Sequence, residues 1–214
     1  YSTNVMILDS RGNPVIVWNE PYVVRDSSQV YVKRWNEQSL SWESFGSVDT
    51  PLNIEVADYA TRPSLALDSS DYPVVSWYEE SRSTRNEQKI QVKRWDGNDW
   101  QLLPSTLTVE SDRIDLSSSV AVDALGNPIV MWTAKNVLSN PLRISFRVYV
   151  NRWDSYSNYW AQIGTSLEQS TSVNMAVDHL GNPVVSLLET PGFDLFVKRY
   201  TDTTGSDLQE LNFD

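Results

Sequence analysis

The 214-residue sequence has no cysteine and a single histidine. The first absence excludes disulfides, thiolate metal sites and cysteine nucleophiles. The second leaves zinc and iron short of their usual ligands. A Ser/His/Asp relay would have to be built on His179, which lies in an Asp-His-Leu-Gly-Asn tract that reads as a surface hairpin tip. Positive charge is also in deficit: 17 Lys and Arg stand against 28 Asp and Glu, a formal net charge of −11. That balance repels phosphate backbones and anionic lipid, so neither nucleic acid nor membrane insertion is expected. No apolar run approaches the roughly 18–20 residues that span a bilayer. The chain opens on Tyr1 and shows no charged-then-apolar leader, so a targeting segment is expected to be absent from it, with the protein working outside the cell or at its surface. No cofactor is expected. Calcium is the one ion that oxygen ligands could take here, although no Asp-x-Asp-x-Asp-Gly spacing occurs and Asp112 with Asp115 is an ordinary loop pair. No phosphate-cradling glycine loop and no convincing helical period are present.

What is present is a repeat. ILDSRGNPVIVWNE from Ile7, LALDSSDYPVVSWYEE from Leu65, VAVDALGNPIVMWTA from Val120 and MAVDHLGNPVVSLLE from Met175 align on Asp9, Asp68, Asp123 and Asp178, at intervals of 59, 55 and 55 residues. Each is followed by a second shared stretch ending at Trp35, Trp95, Trp153 or Tyr200. The nine tryptophans respect this register. Trp18, Trp77 and Trp132 stand nine residues after the shared Asp; Trp35, Trp95 and Trp153 close the second stretch; Trp42, Trp100 and Trp160 follow five to seven residues later. The fourth copy has Leu187 and Tyr200 at the first two positions and reads as the terminal, degenerate copy. The copies span approximately 3–46, 62–104, 117–164 and 172–212 of a single domain, 1–214.

Each copy reads as four short strands. The first is short and rich in small residues, as at Ser64–Leu67 and Ser119–Val122, and runs into an Asp-x-x-Gly-Asn-Pro turn whose glycine supplies positive φ. In the second strand both alternating sets are apolar, which predicts cover on both faces. The third is the Val-Lys-Arg-Trp run, and the fourth lies around Trp100–Leu103 in the second copy. Tandem antiparallel meanders covered on both faces predict an all-β fold, a β-propeller of four-stranded blades. Four blades fit this chain, with a seam between first and last copies as its weak point; half of an eight-bladed ring made by two chains, and part of a longer array, are the alternatives.

The tracts Val120–Val130 and Met175–Val185 resemble the first hairpin of NHL-type and related bacterial β-propeller repeats, and loosely the Asp-box. The resemblance covers nearly the whole chain and implies the propeller fold. Its glycines, Gly12, Gly126 and Gly181, come three residues after the Asp instead of the Asp-box's two, and Asp71 takes that place in the second copy. Such repeats occur in sugar-binding, protein-binding and enzymatic propellers alike, so the fold leaves the function open.

Residues common to all copies read as structural. Arg34, Arg94, Arg152 and Arg199 recur at one strand position and are expected to pair with a carboxylate such as the turn Asp, in preference to forming a ring of cations. The tryptophans are expected to fill the core. Function is sought in the connections between strands two and three: Asn19–Gln29, Tyr78–Lys89, Thr133–Arg147 and Leu188–Asp194. Glu20, Glu79 and Glu189 stand two residues beyond the tryptophan position, with Ala134 and then Lys135 in the third copy, and Tyr22 and Tyr78 lie nearby. These six, Glu20, Tyr22, Tyr78, Glu79, Lys135 and Glu189, are the candidate ligand-binding residues. The favoured function is a non-enzymatic binding module, lectin-like or protein-binding, with carbohydrate or protein as ligand and a homo-oligomer as one route to a closed ring. The rival functions are a carbohydrate-active hydrolase using Glu79 or Glu189 and a structural domain of a larger surface protein; the hydrolase needs two carboxylates in unlike environments around one cleft, and three equivalent, fully exposed glutamates would count against it.

Overall fold

The computed structural model describes residues 3–22, 27–46, 49–55, 58–81, 88–104, 107, 118–139, 142–168, 170–189, 194–200 and 208–211, with all their side chains except those of 135–139, 142–145, 168, 170–173, 189 and 208. The chain divides into two compact units, 1–107 and 108–214. All regular structure among the described residues is β, and no helix is long and apolar enough to cross a membrane.

The first unit holds two antiparallel meanders. One consists of β1 (Asn4–Leu8), β2 (Pro14–Tyr22), β3 (Ser27–Asn36) and β4 (Ser41–Ser44); the other of β5 (Tyr59–Leu67), β6 (Pro73–Glu80), β7 (Gln88–Trp95) and β8 (Trp100–Leu103). A single parallel bridge, Ser28 to Tyr59, links β3 to β5. Their common core includes Val15, Val17, Val30 and Val32 from the first meander and Leu65, Val75, Trp77 and Trp95 from the second, with Phe45 and Leu52 from the stretch between them. The two second strands differ. In β2 burial alternates, while in β6 every residue from Pro73 to Glu79 is buried, so of these two strands β6 shows the full two-sided cover its apolar faces predict, as does the stretch 128–134 in the third copy.

The second unit contains β9 (Ser118–Val122), β10 (Pro128–Ser139), β11 (Leu142–Asp154) and β12 (Tyr159–Gln162), with a short β13 (Leu167–Glu168) on β11, and then β14 (Ser170–Val177), β15 (Pro183–Glu189), β16 (Asp194–Tyr200) and β17 (Leu208–Leu211). Ile129, Met131, Val148 and Val150 pack there with Ile163, Val185, Leu187 and Tyr200.

Two devices recur, the first in all four repeats and the second in three. The turn aspartate folds the first hairpin tip: Oδ1 of Asp9 accepts from the amides of Arg11 and Asn13, and Asp68, Asp123 and Asp178 do the same two and four residues on. Residue three of that turn is left-handed, with φ of 87° at Gly12 and 60° at Asp71. Aspartate tolerates this conformation better than most side chains, and the Asp71 carboxylate accepts from the Ser10 amide at 2.9 Å, tying the two tips of the first unit together. The second device is a tryptophan pair across strands three and four. Trp35–Trp42, Trp95–Trp100 and Trp153–Trp160 stand in register and meet edge to face at 5.6, 5.7 and 5.4 Å. Each such pair contributes about 0.5–1.5 kcal/mol beyond its buried area.

The outer edge of strand three, where strand four has already ended, is closed by the chain that follows. The Leu52 amide donates to the Val30 carbonyl at 2.8 Å, and the buried Asn53 side chain accepts from the Val30 amide and donates to the Ser28 carbonyl, each at 3.0 Å. In the other two tryptophan-bearing copies Ile90 donates to Leu107 and Ile163 to Val150.

Candidate functional site

The glutamates two residues beyond tryptophan lie within strands: Glu20 pairs with Gln29 and Glu79 with Lys89. The strands run further than their polar sequence suggests, and β10 and β11 continue pairing as far as Ser139 and Leu142. The spacing has a plain consequence. Along a strand, residues i and i+2 share a face, so the carboxylate can meet the indole: Trp18 Nε1 donates to Glu20 at 3.3 Å and Trp77 Nε1 to Glu79 at 2.6 Å. Where the third copy has Ala134 instead, the buried Trp132 Nε1 has no hydrogen-bond partner among the described residues.

Identical spacing ends in unlike environments. Glu20 is exposed, whereas Glu79 is only 3% exposed. One Glu79 oxygen accepts from the Trp77 indole and the other from the backbone amides of Ile54 and Glu55, at 2.9 and 3.3 Å. Burial pushes the Glu79 carboxyl above its ordinary value and the nearby Asp58 pushes the same way, against the three N–H donors. Tyr78 is nearly buried; its hydroxyl donates to Glu80, and burial and that carboxylate raise its pKa. Tyr22 is exposed at the end of β2. Lys135 lies in β10 and Glu189 in β15, with side chains outside those described.

Glu79 lines a cleft of about 170 Å³ together with Glu55, Asp58, Ser81, Lys89 and Gln91. Its origin is a departure from the repeat. In the first and third copies a tyrosine stands in register with the strand-two tryptophan and stacks on it, Trp18 on Tyr31 at 5.6 Å and Trp132 on Tyr149 at 5.3 Å. In the second copy Gln91 faces Trp77 instead. The smaller, polar side chain leaves room and supplies both a hydrogen-bond donor and an acceptor. Asp58, Lys89 and Gln91 were not legible as site residues; the sequence feature that bears on the cleft is a glutamine at position 91 where the first and third copies have Tyr31 and Tyr149. Among the described residues no group of three or more His, Cys, Asp or Glu side chains is placed to hold a metal ion.

The repeated arginine pairs with the turn aspartate in three copies: Arg94 with Asp68 at 2.9 Å, Arg152 with Asp123 at 3.4 Å and Arg199 with Asp178 at 3.4 Å. In the first copy Arg34 instead lies 3.8 Å from Glu43 and over the Phe45 ring.

No family model matches the sequence, and no curated protein matches it. Solved structures do match in fold. The "Hadza microbial sialidase Hz136" superposes with a TM-score of 0.61 at 11% identity, over 97% of this chain and 45% of that one. Trypanosoma rangeli sialidase gives 0.58 at 12% identity, over 97% of this chain and 37% of that one. The GH93 alpha-L-arabinofuranosidase of Fusarium graminearum gives 0.55 at 12% identity, over 98% and 63%. The chain therefore spans less than half of either sialidase. At these identities the likeness is one of fold: an all-β chain of antiparallel sheets whose structural neighbours are propeller enzymes.

Proposed function

We propose that the chain is a carbohydrate-binding β-propeller module whose four meanders are blades of one domain, and that it takes a sugar non-enzymatically at the Glu79 cleft. The observation that carries this reading is the lining of that cleft. Glu55, Asp58, Glu79, Lys89 and Gln91 converge on about 170 Å³. This is well below the roughly 300 Å³ at which drug-sized pockets begin, and suits a single sugar ring whose hydroxyls both donate and accept. The fold likeness supports the ligand class: the matching structures include a sialidase described in complex with sialic acid and an arabinofuranosidase described with arabinobiose. Exposed Glu20 and Tyr22 extend the recognition surface of the first unit, and Lys135 and Glu189 are ligand-binding residues of the second unit by itself, roles that carbohydrate or protein ligands would both fit. The ring is closed by four blades of one chain or by two chains, and the module acts outside the cell.

The test is a glycan array probed with the purified chain, once with calcium and once with chelator, followed by Glu79→Gln and Gln91→Ala. A sugar-specific signal lost in Gln91→Ala supports the reading. A blank array from folded protein overturns it in favour of a protein ligand.

A hydrolase remains the second reading, favoured by the raised pKa of Glu79 next to Asp58. Against it, a general acid must aim a proton at the leaving oxygen, whereas Glu79 already accepts from three N–H groups. Release of chromophore from aryl glycosides that Glu79→Gln abolishes would decide for the hydrolase.

A further inference from the structure

The displaced arginine of the first copy has a cause in the strand register. Strand four presents Glu43 directly opposite Arg34, whereas Arg94, Arg152 and Arg199 face Gln101, Ala161 and Gln209. Only in the first copy does a carboxylate compete with the turn aspartate, and the guanidinium turns to it. Asp9 is left with the amides of Arg11 and Asn13 and the Asn13 side chain as its hydrogen-bond donors. Arg34 is 48% exposed, compared with 19% for Arg152.

A cleft of about 190 Å³ lies at this point, between the first hairpin tip and the β3–β4 turn. Asp9, Arg11, Asn13, Arg34, Trp35 and Asn36 are among its walls. Arg11 and Arg34 line this cleft beside the carboxylates of Asp9 and Glu37. Planar guanidinium forks match a carboxylate with two parallel hydrogen bonds, which a lysine or an amide cannot do. The Asn13 and Asn36 amides and the indole of Trp35 suit the rest of a sugar: the amides donate to and accept from hydroxyls, and an aromatic surface covers the apolar side of a ring. The geometry points to a second binding site, for a carboxylated sugar, whose carboxylate is held by Arg11 and Arg34. The Glu79 cleft is lined by different residues, so this site shares with the proposed function only the class of ligand.

The test uses the full chain, labelled with 15N and titrated separately with D-galacturonate, D-galactose and acetate. The Trp35 indole resonance reports on this cleft. That of Trp77, hydrogen-bonded to Glu79, reports on the other, so failure of one site is distinguishable from failure of the other. Galacturonate is expected to shift the Trp35 resonance at a concentration at least tenfold lower than galactose or acetate needs. Arg34→Gln and Arg11→Gln are each expected to weaken that response at least fivefold; Arg11 is exposed on the hairpin tip, so its variant tests the site even if Arg34→Gln fails to fold. A Trp35 resonance that galacturonate leaves unmoved overturns the proposal. So does one that galactose or acetate moves equally well, or a galacturonate response that both arginine variants preserve.

Discussion

The first and second repeats share a template and a core, yet they use its key residues in opposite ways. In the second, Glu79 is sealed in and bound to three N–H groups, and Arg94 holds the turn aspartate. In the first, Glu20 is exposed with one indole contact at 3.3 Å, and Arg34 is drawn off by Glu43. The difference teaches that a repeated residue acquires its role from its cross-strand neighbour: Gln91 opposite Trp77 opens one cleft, and Glu43 opposite Arg34 accompanies the other.

The comparison breaks most severely at the tryptophans. Trp77 is completely buried, and Trp77→Ala is expected to cost about 3–5 kcal/mol in urea denaturation, with half-buried Trp18→Ala costing clearly less. Next in size are the glutamates. Glu79→Ala strands the Trp77 indole and the Ile54 and Glu55 amides, for a loss of about 1–3 kcal/mol, whereas Glu20→Ala should stay within about 0.5 kcal/mol. Equal losses in the same denaturation assay would show that the two positions are equivalent after all. Among the arginines, Arg94→Gln deprives the buried Asp68 carboxylate of its ion pair and is expected to lower the melting temperature more than Arg34→Gln. The companion change Glu43→Gln should sharpen the comparison by returning Arg34 to Asp9, read as a salt-sensitive shift of the Arg34 side-chain resonances.

The smallest effect is on pH dependence. Because folding raises the Glu79 pKa above 4.5, the native state holds that proton more tightly than the unfolded chain. Its contribution is full below the unfolded value and declines as pH rises through the folded one. The stability of the parent chain relative to Glu79→Gln should therefore fall from pH 4.5 upward. Asp9 behaves in the reverse sense. Burial pushes it up, but the Asn13 and Arg11 hydrogen bonds and the Arg11 charge outweigh this and hold it below 3.8, so its contribution is present above 3.8 and lost on acidification.

Much of the fold was legible because it is written several times over. The Asp-x-x-Gly-Asn-Pro tips, the strand at Trp100–Leu103 and the pairing of Arg94, Arg152 and Arg199 with their aspartates follow from pattern and turn chemistry alone. Less legible were the strand ends. Polar residues such as Asn19, Gln29 and Lys89 read as loop but continue the ladder, because a backbone hydrogen bond does not depend on side-chain polarity. Core filling by tryptophan also varies with position: Trp77 is fully buried and Trp42 is 45% exposed on the outermost strand. The burial of Glu79 was hidden, since it depends on the connection at Ile54 and Glu55 folding back over the end of β6, a contact between residues 25 and 24 positions apart.

The closure of the strand-three edges by Leu52–Asn53, Leu107 and Ile163 bears on how copies of this protein can meet. A bare edge is a template on which a stranger's strand can dock and propagate, and it is the usual route from folded β-protein to fibre. Here the rungs beyond the four-residue outer strands are occupied by the chain's own connections. Such a molecule can be present in many copies without recruiting its neighbours through these edges.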